Sequence, residues 1–575
     1  MVTTLLAETF LASDPLAQFE VCAQLAVEQG SIKPSVVRTT YRPALVKFLD
    51  AIAAQLASEP PESDNVAAQS IPPKSKRQLI DPSQCAPRLK PQVTLQQAVQ
   101  GGRSHKENPY SLYIEQLPAP VLAAITELQH FWTDKEVPDR QDDQMRLGSF
   151  EENIIRSILF FFGWLHYLKQ WDLGCLNLDL LLTNGAEDGI EDLGLMKEFI
   201  AWGINHRGNT YGWATMIVKA PLAIAKWKYA AQSKRSLYRD IDIVEYVRSY
   251  LNSLSKKYSK EPSPMEEKKE LKIMTFEQEV AIVEYLRACC APYLNNHSKR
   301  SQMAVVRAWQ RYLIIAILTY CPLRQREIRE LELGRTLIRE DGYRVRLKPD
   351  DNKTADEREF RLVDVLPPQV ITDLDAWLDH YRADVVKQIQ AASTSPEDWF
   401  KFLNYSPELL ESRMQEVSQQ IDELVDELDD AKSSREFVVL KRKLEKLQAI
   451  PEARLQVPKR LKQQFVFLTF GGTTGKGSIG LPLHRENLTS LVKTAVFDAR
   501  AILIETEHPL FKGLDPRQTN PHFYRNNGIT HERRYGDPDK RQAFHKMIGN
   551  SVTEGDRTYN EMTPFEKTMQ ASGWW

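Results

Sequence analysis

Apolar residues recur at helical spacing through most of this chain. Up to residue 58, Phe19, Leu25, Val36, Leu45, Phe48 and Ile52 mark the inner faces of amphipathic helices. Between 59 and 110 that periodicity is lost in a stretch rich in Pro, Ser, Gln and Lys, with Glu59-Pro-Pro and Ile71-Pro-Pro-Lys, which predicts a flexible linker. From 111 to 257 the helical pattern returns, with Trp132, Phe160, Trp164, Trp171, Phe199, Trp202, Trp213 and Trp227 as expected core. A charged linker at 258–272 leads into a last region, 273–575. There Thr275 is placed to cap a helix near 276–293, and a second helix follows near 301–320. The period then shortens to two. Tyr343–Lys348 and Glu359–Val363 read as paired strands, with Glu340-Asp341-Gly342-Tyr343 as a hairpin turn. A helix near 368–391, a further strand at Gln464–Phe470 and a helix entered at Leu481–Leu488 complete the pattern. The predicted fold is mainly α with a small antiparallel sheet (α+β).

An insertion at about 396–458 carries its own period. Leu410, Met414, Val417, Ile421, Leu424 and Leu428 alternate steps of four and three; Ser433-Ser434 interrupts, and Phe437, Leu440, Leu444 and Leu447 resume the seam. Residues 408–430 hold nine acidic residues and one Arg, whereas 431–447 hold six basic and two acidic. Opposite charge on consecutive short arms predicts an antiparallel coiled-coil hairpin, projecting toward a protein partner or a neighbouring subunit.

The formal net charge of −2 over 575 residues advertises no nucleic acid, but the charge is unevenly spread. Lys226–Lys272 contains twelve Lys/Arg against seven Asp/Glu, and Asn520–Lys546 six against three with three His besides, which leaves room for local basic surfaces. Six Cys without metal-ligand spacing read as reduced thiols of a cytoplasmic protein, and the most apolar run, Ile158–Leu165, is too short to span a bilayer. Phe470-Gly-Gly-Thr-Thr-Gly-Lys-Gly-Ser478 fails as a phosphate loop, because Phe470 and Gly477 stand where Gly and Ser/Thr are needed.

The candidate chemistry lies in boxes far apart in sequence. Cys321-Pro-Leu-Arg324-Gln-Arg-Glu327-Ile opens a helix; Asn352-Lys353-Thr354 sits in the turn between the two strands; His522-Phe-Tyr-Arg525, Gly549-Asn550 and Tyr559 follow near the end. This order and spacing resembles the catalytic signature of the tyrosine recombinase (phage-type integrase) family. The resemblance covers about 273–395 and 460–560. It implies that Arg324 and Arg525 clamp a backbone phosphate, that Glu327 orients Arg324, and that Lys353 is the general acid, with Lys348 as runner-up. It implies further that His522 and Arg525 fill the family's His-x-x-Arg box, that Asn550 donates a hydrogen bond to a phosphate oxygen, and that Tyr559 is the nucleophile. Arg326 competes with Arg324 for the clamp. Two guanidiniums suit this work because they fork onto phosphate oxygens and stay charged at any working pH. A Tyr hydroxyl, ionising near pH ~10, needs cationic neighbours to attack.

The chain departs from the family at two places: Pro322 replaces the usual Gly, and Asn550 stands where His or Trp is usual, able to donate a hydrogen bond but not to act as acid or base. By the same resemblance, 111–257 is a helical core-binding-like DNA-binding domain, with Arg207, Lys219, Lys226, Lys228, Lys234 and Arg235 as candidate phosphate contacts. The expected activity is that of a site-specific DNA recombinase or integrase of a mobile element, working through a 3′-phosphotyrosine. It would assemble as a homotetramer on double-stranded DNA carrying recombination sites, in the cytoplasm with the nucleoid, and needs no cofactor or metal. Trp574-Trp575 would anchor a neighbouring protomer or pack in cis. A type IB topoisomerase or telomere resolvase would use the same constellation, and a catalytically weak or silent DNA-binding or interaction protein remains the alternative from another class.

Overall fold

A computed structural model describes residues 15–28, 37, 41–42, 45–46, 81, 84–92, 110–186, 189–261, 274–340, 342–352, 356–428, 434–471 and 478–555. The chain divides into two compact units, Met1–Leu79 and Ile80–Trp575. In the first, helix α1 (Pro15–Glu28) buries Ala23, and Glu20 pairs with Arg42 at 3.1 Å. Val36, Phe48 and Ile52 of its expected core lie outside the described residues.

Among its described residues the second unit is mostly helical, with two large hydrophobic cores and a small third cluster at Phe400, Leu410 and Ile450. The first is built by α2 (Ala119–Thr133), α3 (Arg156–Lys169), α4 (Gly194–Asn205), α5 (Tyr211–Ile217), α6 (Lys219–Lys228) and α7 (Asp242–Tyr258). Phe161, Phe162, Trp164 and Phe199 are fully buried at its centre, so these aromatics are packing groups rather than platforms for bases. Close packing leaves no room at Gly163: a β-carbon there would lie 1.7 Å from the Tyr110 carbonyl oxygen.

The second core gathers α8 (Phe276–Ala288), α9 (Gln302–Tyr320), the short α10 (Gln325–Arg329) and a three-stranded antiparallel meander of β1 (Leu337–Ile338), β2 (Arg344–Leu347) and β3 (Arg358–Arg361). Thr275 caps α8 through a reciprocal bond with Gln278. Gly342 and Tyr343 both take positive φ at the β1–β2 turn. The register pairs Arg344 with Arg361 and Leu347 with Arg358. Then come α11 (Pro368–Ala376), a π-turn at Trp377–Tyr381, α12 (Arg382–Ala392), α13 (Pro396–Leu403), α14 (Pro407–Glu427), α15 (Arg435–Lys462), α16 (Arg485–Glu505), α17 (Pro521–Tyr535) and α18 (Arg541–Ile548).

Three expectations need correction. Gln464–Phe470 is not a regular strand: its apolar run threads the core, held by single bridges of Phe465 to Glu332 and Leu468 to Pro482. A short buried apolar run cannot by its pattern be told from a buried strand. The expected end of the insertion near 458 falls inside a helix: α15 runs to Lys462 through Pro451 and Pro458, with Ala453, Val457 and Leu461 seated in the second core. Part of the stretch expected to be a flexible linker is docked, since Ala86 donates to the Tyr293 carbonyl at 2.7 Å and Arg88 pairs with Glu505 at 2.9 Å.

Helices α14 and α15 pack on each other, and Leu410 and Met414 near the start of α14 meet Leu447 and Ile450 on α15, so the two run in opposite directions. The α15 arm also reaches the first core. Arg442 forks onto Glu115 at 2.8 Å, and the Tyr113 ring lies between Arg435 (4.7 Å) and Arg442 (4.4 Å). Among the described residues, no helix is long and apolar enough to cross a membrane.

Lys226 also needs correction as a candidate phosphate contact. It is buried beside Trp132 and Tyr238, with its ammonium on both Asp142 carboxylate oxygens at 2.7 and 2.9 Å. Replacing it leaves Asp142 without its cation in a partly desolvated place. Lys226→Ala is therefore expected to lower unfolding free energy by about 1–3 kcal/mol, against less than about 0.5 kcal/mol for the exposed Lys219→Ala; denaturation midpoints of the two variants compare them.

Candidate functional site

The site is assembled around the end of a short helix. α18 closes with Gly549 at φ +73°, in the left-handed region, and the Gly549 and Asn550 N–H groups donate back to the carbonyls of Lys546 (3.1 Å) and His545 (2.8 Å). That is the usual way for a helix to stop on glycine. It leaves the next carbonyls without intrahelical donors, at the negative end of the helix dipole. Three arginines from three other elements take them. Arg358 Nη1 donates to the Met547 carbonyl at 2.9 Å, Arg525 Nη1 to the Ile548 carbonyl at 2.9 Å, and Arg324 Nη2 to the Gly549 carbonyl at 2.6 Å. Arg324 Nη2 also lies 3.3 Å from the Asn550 side-chain oxygen.

Each arginine arrives by a specific local device. Arg324 is the N-cap of α10, and its own N–H is held at 2.9 Å by Glu327 Oε2, so the carboxylate that starts the helix also fixes where the arginine leaves the chain. The other oxygen of Glu327 faces Arg324 Nη1 at 3.4 Å and accepts from Arg358 Nη2. Arg525 projects from α17 and also donates to the Pro322 carbonyl at 2.8 Å, which ties the third box to the first. Arg358 comes from an inward position of β3 and is 2% exposed. Among Arg324, Arg358, Arg525 and Glu327, three positive charges face one negative charge. A surplus of this kind in a partly desolvated place suits an anion. Burial pushes the nearby Cys321 thiol up to about 12, with the Glu327 carboxylate adding to the shift, so this sulfur stays protonated.

Of the residues singled out in the sequence, the structure brings together Arg324, Glu327, Arg525 and Asn550. Arg326 turns away to pair with Glu330 at 2.9 Å and does not share the site. His522 is exposed in the first turn of α17, three residues before Arg525, with its N–H capped by Asn520 at 3.0 Å. Lys353 and Tyr559 lie outside the described residues, as do Thr354 and Trp574-Trp575. The ends of the Lys353 turn are placed: Asn352 donates to the carbonyls of Lys348 (2.8 Å) and Asp356 (2.7 Å). Arg146 of the first core donates to the Asn352 carbonyl at 2.7 Å. Toward Tyr559, Gly555 rests on the buried His545 ring, where a β-carbon would lie 2.1 Å from Cε1. His545 Nε2 stands 3.8 Å from Glu532. Burial alone would raise Glu532, yet His545 and Arg541 hold its carboxyl below the usual range.

Among the candidate DNA contacts, Lys228 is engaged by Asp179 (2.7 Å) and Glu191 (3.1 Å), and Arg207 stacks on Tyr110 and Trp202. Lys219, Lys234 and Arg235 are exposed. Sequence reading missed Arg358. Its one available signal was an arginine at a strand position whose alternation turns it inward, opposite Leu347.

α17 is buried on nearly all sides although much of it is polar: Tyr524, Arg525, Asn526, Asn527, Thr530, Glu532 and Arg533 are all inside. Behind it Glu279 on α8 accepts from Asn527 and is fully desolvated, which holds its carboxyl well above the usual range.

Two predictions follow from this geometry. A β-carbon at Gly549 would sit 2.6 Å from Arg358 Nη1 and 2.7 Å from Arg324 Nη1, in a backbone conformation alanine resists. Gly549→Ala should cost about 1–2 kcal/mol of stability, read as a loss in denaturation midpoint. For Glu279, a raised folded pKa means the unfolded chain releases its proton first, so stability falls as pH rises above the ordinary glutamate range of about 4.3. Glu279→Gln should be more stable than the parent at pH 7 and lose that advantage near pH 4; melting curves across this interval measure it.

Comparison of the chain with protein-family models, with curated proteins and with solved structures finds no match.

Proposed function

We propose that this protein cuts and rejoins DNA through a covalent tyrosine intermediate, as a site-specific recombinase or integrase. The observation that carries the reading is that Arg324, Arg525 and Asn550, spread over more than 200 residues of sequence, meet around one three-residue turn. Nothing in local sequence requires such a meeting, and two guanidiniums of a net positive cluster are the groups a phosphodiester calls for. In this mechanism the Tyr559 oxygen attacks the phosphorus, the bond from phosphorus to the 5′ oxygen breaks, and the phenolic proton leaves to solvent or a base. Lys353 gives a proton to the departing 5′ oxygen. Arg324 and Arg525 hold the non-bridging oxygens as charge builds on them, and Asn550 adds a hydrogen-bond donor. Asn550 Nδ2 is buried without a partner among the described residues, a donor in reserve for an oxygen that arrives with substrate. Attack by the freed 5′ hydroxyl of a second strand on the phosphotyrosine reverses the chemistry and exchanges strands.

The lobe of α2–α7 would hold the DNA from its other side, with Lys219, Lys234 and Arg235 as phosphate contacts, and the paired helices α14 and α15 would act as a coiled coil toward a protein partner or a neighbouring subunit of a tetramer. The reading of a silent DNA-binding protein draws on a different observation: Arg525 is 2% exposed and spends Nη1 on two backbone carbonyls.

A pool of duplexes with randomised flanks, each nicked beside the scissile position so that the cleaved fragment diffuses away, separates the two. The active enzyme accumulates as a covalent protein–DNA adduct resistant to denaturant. Tyr559→Phe should abolish the adduct, and Arg324→Ala should slow its formation by about 10²–10³-fold. DNA retention without any adduct would favour the silent binder, and adduct formation with relaxation of a single nicked circle but no two-site exchange would favour a topoisomerase.

A further inference from the structure

Arg358 stands where the strand pattern asks for an apolar side chain. β3 turns it inward, opposite Leu347, and its side chain is 2% exposed. A buried guanidinium is costly to desolvate, and an apolar residue of similar volume would fill the space at less cost. What the charge supplies is two bonds in different directions: Nη2 to Glu327 and Nη1 to the Met547 carbonyl at 2.9 Å. Glu327 in turn holds the Arg324 backbone at 2.9 Å and faces its guanidinium at 3.4 Å. Met547 lies two residues before the Gly549 carbonyl that Arg324 grips at 2.6 Å. Arg358 thus reaches the Arg324–Gly549 contact indirectly from both ends, through the carboxylate that holds Arg324 and through the helix end that carries Gly549. Only a planar fork reaches two acceptors set apart in this way; a lysine ammonium is a point charge on a flexible stem.

We propose that Arg358 is a positioning residue of the cluster, setting the direction of Arg324 through their shared Glu327 carboxylate and the place of the Gly549–Asn550 turn through the Met547 carbonyl. Its kinetic consequence rests on the strand-transfer reading above; its structural consequence does not.

The test uses the full chain with Arg358→Met, Arg358→Lys and, as a control on the same strand, Arg361→Met. Hydrogen–deuterium exchange is followed over 321–329 and 545–555. In parallel, adduct formation is timed on a nicked duplex drawn from the randomised pool, made once with the natural scissile phosphate and once with an uncharged methylphosphonate. Both Arg358 variants should exchange faster in the two windows and keep the parent's protection over α2–α7. On phosphate, Arg358→Met should lose about 10²-fold in rate, the scale of a misplaced reacting group. On methylphosphonate the deficit should shrink at least tenfold, as it should for Arg324→Ala, because no anionic charge then needs the clamp. Parental exchange in both windows, or an equal rate loss on the two substrates, overturns the proposal. If the parent itself forms no adduct while the two windows respond as expected, the strand-transfer reading falls and the positioning role stands. Should Arg358→Met fail to fold, Arg358→Lys and Glu327→Gln carry the same readouts.

Discussion

The end of α18 is the point on which this part of the molecule depends. A helix that stops on glycine exposes its last carbonyls, and here three successive ones are taken by arginines from α10, β3 and α17. A neutral amide hydrogen bond contributes little net stability, but one to a charged group contributes about 1.5–3 kcal/mol. Each of these bonds also joins elements that are distant in sequence. The arrangement therefore locks the first box, the small sheet and the last helices into one geometry. The same bonds hold guanidiniums in place before any ligand arrives, which is what electrostatic preorganisation requires.

Such an arrangement is costly, and the cost shows in the surroundings. Arg358 and Arg525 are buried, as is Glu327, and α17 carries a largely polar sequence through the interior. Several buried polar atoms behind it, including the Tyr524 hydroxyl, Glu279 Oε2 and two nitrogens of Arg500, have no hydrogen-bond partner among the described residues. Burial lowers the Arg500 guanidinium to about 10 and holds Glu279 well above the carboxylate range. A core built for stability alone would use apolar side chains here. Concentrated desolvated charge is one mark of a candidate functional site, and structural ion-pair networks share it.

The helical pair α14 and α15 ties the two cores together. The charged residues on the exposed surface of its first arm are acidic except Arg413, while the second is seated in the core through Val457 and Leu461 and reaches across to Tyr113 and Glu115. Arg146 makes a second link, to carbonyls at the base of the Lys353 turn. The lobe that carries α2–α7 is therefore joined to the second core at more than one place.

The mainly helical class with a small antiparallel sheet was legible in the chain, because a period near 3.6 or 2 is written in consecutive residues and local sterics and burial enforce it. The Thr275 cap, the β2–β3 pair and the turn at Gly342 belong to that kind of information. The Gln464–Phe470 run was misread because burial on all sides erases periodicity. Lys226 was misread because a basic residue in sequence looks the same whether water or Asp142 surrounds it. Arg358 went unnoticed because its meaning comes from Glu327 and Met547, 31 and 189 residues away. The sequence by itself determined most of the helices and the β2–β3 pair, and it limited the candidate chemistry to residue types able to meet a phosphate, since both depend on residue type and near-neighbour spacing. Only the tertiary structure decided which charges converge, which are neutralised and which are buried, because electrostatic energy depends on distance and on exclusion of water, and neither is encoded by separation along the chain.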